Sequence, residues 1–488
     1  MAAIFSRLTA SIESLDGMRS GTTKVFELPI LLTGENSVLS TTNGQKCFLD
    51  ALRLLVRMTN NLTVFTDGQL ELEERVRKLV PHLTNARVHV EQRSNLRYEK
   101  FAGILNVGSD VRTNYPWTSI NSNGFLARVS SKSSISPECR QANPIGALAA
   151  ASLGLAEIFK RIACVSADRG PFHDDLNFSF YTYSTSDWPG PELPTALNIG
   201  TLLQVGAGAI GNGIVHLLAQ LGLNGRVVII DNEDFAFENL GTCILIGPAD
   251  VTHPKASTLA SLLPGAVGYR EQVGDSIRSR IGVDFGVPAI VVNGLDNIEA
   301  RRSVQTLWPD LVIDGAIGTF SCEATLHPWG PDASCLLCDF EEPVRDVLEE
   351  SSKFTGLSKE KLRDLLGVVT KEDIDAAPEE TRDVLRQFLG KSYCSVVSET
   401  EMRRLSAGAA NFAASVPFVA CLSACMVVTE LVRAVSDWRP ELETGFQFDV
   451  LVGPQRGIRK SHTRKLNCIC VNRQSLIDGM RKNRPAMI

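Results

Sequence analysis

The sequence has no surplus of positive charge. Its 49 Lys and Arg against 55 Asp and Glu leave a net charge of −6, and no basic run is long enough to make a nucleic-acid face. It has no unbroken apolar leader: the opening MAAIFSRLTASIESLDGM lacks the apolar core of a signal peptide. Its 12 cysteines are not spaced as a disulfide framework, which points to a reducing cytoplasm with metal-binding or catalytic thiols. Nor does it hold an uninterrupted membrane span. The most apolar segment, Phe412 to Val428, carries Ser415, Pro417 and Ser423 and runs into Glu430 and Arg433, as a buried helix of small residues does. The expected partners therefore include neither nucleic acid nor membrane. At 488 residues the chain exceeds one compact core, and two or three domains are expected.

What is present begins at residues 199–211, IGTLLQVGAGAIG, where Gly206, Gly208 and Gly211 form a GxGxxG turn directly behind an apolar strand. An apolar segment from Ile214 to Leu223 follows, then a second strand, Val227–Ile230, ending on Asp231. That acid lies 20 residues past Gly211, near the spacing at which a carboxylate reaches a ribose hydroxyl in a nucleotide-binding βαβ unit. A Cβ at the glycines would hold the backbone away from phosphates, whose charge the helix N-terminus favours.

The order of signals in the second half recurs in the first. Thr201–Val205 has a counterpart in Leu28–Leu32, which is followed by Thr33-Gly34-Glu35-Asn36-Ser37 in place of the glycine turn. The strand ending at Asp231 has a counterpart in Leu62–Phe65 near Asp67; AIVVNGLDN (289–297) is echoed by AGILNVGSD (102–110), and Leu311–Ile313 by Thr118–Ile120. Each half closes on a small-residue helix running into an acid, Pro144–Lys160 with Glu157 and Pro417–Val432 with Glu430. This alternation predicts an α/β fold with a parallel, helix-covered sheet in each half, the first having lost its phosphate loop. Gly170–Pro194, rich in aromatic, Ser and Pro residues, reads as an edge strand and linker, with a boundary near Pro194.

Downstream of Asp231 the chain reads DNEDFAFENLGTC, then HPKA at 253–256 and GLDNIEAR at 294–301. With the glycine turn, this series resembles the adenylation domain of the ThiF, MoeB and ubiquitin-activating E1-like superfamily over about residues 196–470, the first half being a degenerate, inactive copy. The resemblance implies two Rossmann-like adenylation-type halves. It implies ATP and magnesium as cofactors, with Asp231 and Glu233 on the ribose, Asn239 of the Asn-Leu-x-Arg match among the nucleotide-binding residues, Lys255 toward the phosphates, and Asp296, beside Asn297 and Arg301, holding Mg2+. Such an enzyme has a carboxylate attack the α-phosphate of ATP, and Lys255 would offset the charge developing there. Thr242 stands where the family usually has arginine, so one phosphate-neutralising cation is missing or comes from elsewhere, the first half being one source.

Cys335-Leu-Leu-Cys338 is a CxxC clip, and Cys468-Ile-Cys470 supplies a second close pair. Four thiolates suit a structural zinc, and the resemblance places one at these stations, although the second clip there is usually CxxC. Between Cys338 and the apolar helix lies an insertion that reads as helical, with Pro378 at a helix N1 position, Gly390 at its C′ end, and Val384, Leu385 and Phe388 on one face. Directly after it, Cys394-Ser395-Val396 resembles the Cys-Thr-Val around the thioester cysteine of E1 enzymes. A thiolate can take an acyl group from AMP and keep it exchangeable, and Lys391 is placed to favour that thiolate. Cys243, Cys322, Cys421 and Cys425 sit in apolar strings and read as core residues.

The expected organisation is an inactive adenylation-like domain (1–194), an ATP-binding adenylation domain (195–340 and 408–470), a helical insertion with the catalytic cysteine (341–407) and a C-terminal tail (471–488). The expected function is E1-like. The chain would adenylate the C-terminal glycine of a ubiquitin-like protein, form a thioester on Cys394 and pass it to an E2-like protein, with a homodimer possible. NPIGALAAA (143–151) and the compact length resemble stand-alone bacterial E1-like proteins of antiphage operons. The alternatives are a sulfur-carrier adenylyltransferase, in which Cys394 is dispensable or carries persulfide sulfur, and a non-enzymatic nucleotide-sensing scaffold. A nicotinamide dehydrogenase leaves Lys255, Asp296 and the thiol clips unexplained.

Overall fold

The computed structural model describes residues 5–16, 22–111, 113–274, 288–295, 297–340, 347–364, 367–393, 395–397, 416–436 and 445–482. The chain forms two compact units, one of Met1–Phe340 with Ala414–Ile488 and the other of Glu341–Ala413.

The large unit contains two eight-stranded sheets of the same topology. In the first lie β1 (Ile30–Gly34), β2 (Asn61–Val64), β3 (Arg87–Val90), β4 (Gly103–Val107), β5 (Trp117–Asn123), β6 (Leu126–Ser130), β7 (Leu176–Ser179) and β8 (Ser184–Thr185), in the order 3-2-1-4-5-6-7-8. In the second lie β9 (Leu197–Val205), β10 (Leu223–Ile230), β11 (Val267–Tyr269), β12 (Ile290–Asn293), β13 (Leu311–Ile317), β14 (Ser321–Pro328), β15 (Gly445–Asp449) and β16 (Ile458–Lys460), in the order 11-10-9-12-13-14-15-16. In each sheet the first five strands in spatial order are parallel and the last three antiparallel. The duplication expected from the order of sequence signals is thus present strand for strand. The central strands are buried on both faces, which is why LLQV and IVVN are mostly apolar, with Gln204 and Asn293 as their buried polar residues.

The helices used below are α1 (Ser6–Asp16), α2 (Thr42–Leu55), α3 (Pro144–Ile162), α4 (Ala209–Leu218), α5 (Lys255–Ala260), α6 (Pro417–Val435) and α7 (Gln474–Lys482). α3 and α6 each span 19 residues and begin with Pro at the first helical turn, where its missing N–H costs nothing. Asn143 caps α3 by accepting the Ile145 N–H at 2.8 Å. α3 and α6 pack on one another, with α2 against α3 and α4 against α6, and one apolar core runs through both halves. α6 is long and apolar enough to cross a membrane, with a mean hydropathy of 1.9, yet 83% of that window is buried inside the protein.

Two of the charged contacts that join the halves are clasps on the long helices. In the first, Glu157 of α3 binds Lys160, whose Nζ reaches the Leu451 carbonyl beyond β15 at 3.3 Å. In the second, Glu430 of α6 binds Arg433 at 2.7 Å and accepts from the Tyr183 hydroxyl, beyond β7, at 2.7 Å. His216 of α4 meets Asp50 of α2 at 2.6 Å.

The small unit is helical, with Val347–Thr355, Lys359–Leu362, Lys371–Ala376 and Glu379–Arg386 around a core that includes Leu362, Ile374, Leu385, Phe388 and Tyr393. Three sequence expectations shift. Pro378 is the N-cap residue, one place before the first turn, because its ψ of 145° is still extended. The helix ends at Arg386, so Gly390, with φ +78°, forms a later left-handed turn whose N–H bonds the Val369 carbonyl. The helix expected over the Ile214–Leu223 segment starts earlier, at Ala209, and ends at Leu218, with Leu223 opening β10.

Candidate functional site

β9 ends at Val205, and the chain turns through Gly206, with φ +91°, into α4, for which Gly208 is the N-cap. A Cβ on Gly211 would lie 2.3 Å from the Gly206 carbonyl oxygen, so only glycine lets the helix fold back on the turn. A Cβ on Gly208 would meet nothing within 4 Å. That open station at a helix N-terminus is the cradle a phosphate needs. The turn is braced from within: Gln204 Nε2 donates to the Gly206 and Gly211 carbonyls at 3.1 and 3.2 Å, and Asn212 Nδ2 to those of Ala207 and Gly208, both at 3.1 Å.

Asp231, at the end of β10, accepts the Ala207 N–H on Oδ2 at 2.7 Å and the Glu233 N–H on Oδ1 at 2.8 Å. Burial raises its carboxyl above the ordinary range, against the pull of Lys255 and these N–H groups. Lys255 opens α5 and is buried rather than a solvated surface lysine; its Nζ donates to Glu233 Oε2. Burial alone would lower its ammonium, but Asp231 and Glu233 outweigh that and hold it above its ordinary value. Asp231, Glu233 and Lys255 are therefore brought together beside the glycine turn, with the lysine charged and restrained by acids.

Asn239 is buried, and its Oδ1 accepts the Ala236 N–H at 2.8 Å, closing the short 3-10 helix Phe237–Gly241. Asp296 lies outside the described residues. The flanking loop is clamped by Arg301, which donates to the Leu295 carbonyl at 2.6 Å and to Asp314 at 2.7 Å. Cys394 also lies outside the described residues, and in its unit Tyr393 donates to Asp373 at 2.8 Å.

Arg7 was not anticipated. α1 packs beside the Phe237–Gly241 turn, with Phe5 and Leu8 buried. Burial raises the Cys243 thiol, and the charges of Lys255 and Arg7 both oppose that rise. The Arg7 charge on the N-terminal helix thus acts on buried Cys243, the residue after Thr242. The sequence holds no motif for it beyond the amphipathic character of α1.

Cys335, Cys338, Cys468 and Cys470 are buried with all four Sγ atoms within 4.8 Å of one another. Three of their separations are 3.9, 3.7 and 3.6 Å. A tetrahedral zinc with bonds of about 2.3 Å demands edges of about 3.8 Å, so the cluster is compatible with zinc. The CxC pair closes the site because Cys468 is the N-cap of the helix Ile469–Asn472 and Ile469 turns out to solvent. Lys465 N–H points at Cys338 Sγ at 3.5 Å. Burial and the neighbouring thiols push Cys335 well above the usual thiol range, and burial pushes Cys468 up to about 12. Cys243, Cys322, Cys421 and Cys425 are core residues, each buried and with its thiol pushed up.

Residues 186–470 match the ThiF family. The uncharacterized protein y4jF of Sinorhizobium fredii is 26% identical over 326 residues, 62% of this chain and 59% of that protein. The SAMP-activating enzyme E1 of Haloferax volcanii is 29% identical over 164 residues, 32% of this chain and 60% of that one. The NEDD8-activating enzyme E1 catalytic subunit of Caenorhabditis elegans is 32% identical over 134 residues, 27% of this chain and 30% of that one. The chain thus spans less than two thirds of the length of each of these relatives. A crystal structure of E. coli MccB overlays with a TM-score of 0.36 at 15% identity, covering 56% of this chain and 65% of that one.

Proposed function

Because this chain belongs to the ThiF family, we propose that it is an E1-like activating enzyme that adenylates the C-terminal glycine of a ubiquitin-like protein. The observation that carries the reading is the grouping of Asp231, Glu233 and buried Lys255 beside the open cradle at Gly208. Asp231 and Glu233 would take the ribose hydroxyls, and the N-terminus of α4 the phosphates. An oxygen of the partner carboxylate attacks the α-phosphorus as the bond to the β-phosphate oxygen breaks, giving acyl-adenylate and pyrophosphate. Lys255 offsets the charge that grows there. Magnesium, assigned to Asp296 by the family motif, supplies further neutralisation of the triphosphate when bound.

Cys394 thiolate then attacks the acyl carbon, the C–S bond forms and AMP leaves; the thioester is passed to an E2-like thiol. Cys335, Cys338, Cys468 and Cys470 hold a structural zinc that takes no part in these steps. A reducing cytoplasm suits both sets of thiols. Bacterial antiphage conjugation is the proposed setting, resting on the resemblance of NPIGALAAA. The second reading, a sulfur-carrier adenylyltransferase, shares everything up to the adenylate.

The test is partner-dependent ATP–pyrophosphate exchange with a ubiquitin-like protein ending in glycine. Lys255→Ala is expected to lose about 100-fold or more, as is Asp296→Ala; exchange at the wild-type rate in Asp296→Ala would sink the magnesium assignment. Cys394→Ala is expected to keep exchange and lose the adduct that reducing agent cleaves. Transfer to an E2 cysteine that survives in Cys394→Ala overturns the thioester role of Cys394 and puts the catalytic cysteine elsewhere or makes the transfer direct; exchange with no thioester and no E2 transfer in the wild type favours the second reading.

A further inference from the structure

The first half has Gly34-Glu35-Asn36 at the station of the glycine turn. The sheet registers show this directly: Thr33, the last but one residue of β1, pairs with Asn106, as Val205 at the end of β9 pairs with Asn293. The acid beneath the turn is also kept. Asp67 accepts the Asn36 N–H at 3.2 Å, as Asp231 accepts that of Ala207, with both partners displaced by one residue in the register.

Across this edge lies the Glu35 side chain. Its Oε1 accepts the Ser109 N–H at 2.5 Å, the Ser109 hydroxyl at 2.7 Å and the Asp110 N–H at 3.0 Å. Three donors converge on one oxygen in the loop that follows β4. Gly108 makes room for it, since a Cβ there would stand 2.7 Å from Glu35 Cγ and Cδ. Convergent N–H and hydroxyl donors at the C-terminal edge of parallel strands are how open α/β sheets bind phosphate-type anions.

We propose that the Gly108–Asp110 loop of the first half is an oxyanion-binding site and that Glu35 fills it permanently as a built-in ligand. The site is therefore self-ligated. With the carboxylate gone, the same donors would take a small external oxyanion, either a carboxylate or a phosphate.

The full chain carrying Glu35→Ala tests this without any nucleotide. Its Tm is expected to fall by about 2–4 °C, and amide exchange at Ser109 and Asp110 to quicken about tenfold or more. About 100 mM acetate or inorganic phosphate, against chloride at matched ionic strength, should recover at least half of both losses in the variant and leave the wild type unmoved. Recovery by acetate alone identifies a carboxylate-sized site; recovery by both identifies a general oxyanion site. Equal response to chloride, or no recovery in folded variant, overturns the proposal. Should Glu35→Ala fail to fold, Glu35→Gln keeps the size and one acceptor. It is expected to speed exchange at both amides with no response to acetate, and amides that exchange as in the wild type would overturn the proposal.

Discussion

Removing the metal from the four-cysteine cluster is expected to release the C-terminal segment while leaving the two sheets folded. A structural zinc on four thiolates contributes about 10–16 kcal/mol, a Kd between tens of nanomolar and about picomolar, so protein purified without added metal should carry close to one zinc. Beyond the cysteines, α7 is held by few groups. Trp329 Nε1 donates to Asp478 at 2.9 Å, Arg481 donates to the Trp308 and Pro309 carbonyls at 2.8 and 2.6 Å and pairs with Asp310, and Ile477 is buried. At about 1 kcal/mol for each hydrogen bond and about 2 for the isoleucine, these anchors fall short of an ordering cost of about 1–2 kcal/mol per residue over Ile469–Lys482. Trp308 and Trp329, in edge contact at 5.3 Å, share the cluster's apolar shell and report on it. A chelator should therefore red-shift tryptophan emission in step with zinc release, and added zinc should reverse the shift. Less than about a tenth of an equivalent of zinc in well-folded protein would refute the site. Zinc loss with unchanged emission would refute its tethering role.

Two further outcomes follow from particular positions. Gly208→Val places its side chain in open space, so the melting temperature should stay within about 1 °C while ATP affinity drops tenfold or more; Gly211→Ala puts a methyl 2.3 Å from a carbonyl oxygen and should cost about 1–3 kcal/mol. Calorimetric titration and melting of both variants check the pair, and equal melting would contradict the geometry. Glu157, held down to about 2 by His173 and Lys160 against burial, lies below its ordinary 4.5, so its contribution is present above pH 4.5 and fades as pH falls toward 2. The shift corresponds to about 3 kcal/mol, reduced because burial also lowers the Lys160 ammonium. Urea midpoints of wild type and Glu157→Gln should therefore converge between pH 6 and pH 3, and a constant gap would exclude the linkage.

The strands that carry the second-half site were legible because burial on both faces leaves a mostly apolar run, and Gly206 to Asp231 lie in one local unit. The strands of the first half were found from the same signals, displaced by a residue or two. The packing of α1 and the role of Glu35 were not legible. α1 lies beside the Phe237–Gly241 turn although more than 200 residues separate them along the chain. Glu35 looked like the loss of a phosphate loop, since its donors at Ser109 and Asp110 lie 74 and 75 residues away. Capping in the small unit slipped by one residue at Pro378 because ψ, which the sequence leaves open, decides where a helix starts.

The two clasps at the ends of α3 and α6 carry a history. In each 19-residue helix the acid lies 13 residues past the opening proline (157 − 144 and 430 − 417) and the cation three residues further on. Each then engages the chain beyond the seventh strand of the opposite sheet: Lys160 the Leu451 carbonyl, Glu430 the Tyr183 hydroxyl. Contact of i with j mirrored by j with i is the signature of an isologous interface between two identical subunits related by a two-fold axis. Once both subunits lie on one polypeptide, sequence identity across the axis is no longer enforced, and a lysine–carbonyl contact on one side can answer a tyrosine–carboxylate contact on the other. The junction thus has nearly the positional symmetry of a two-fold interface, while its chemistry differs on the two sides.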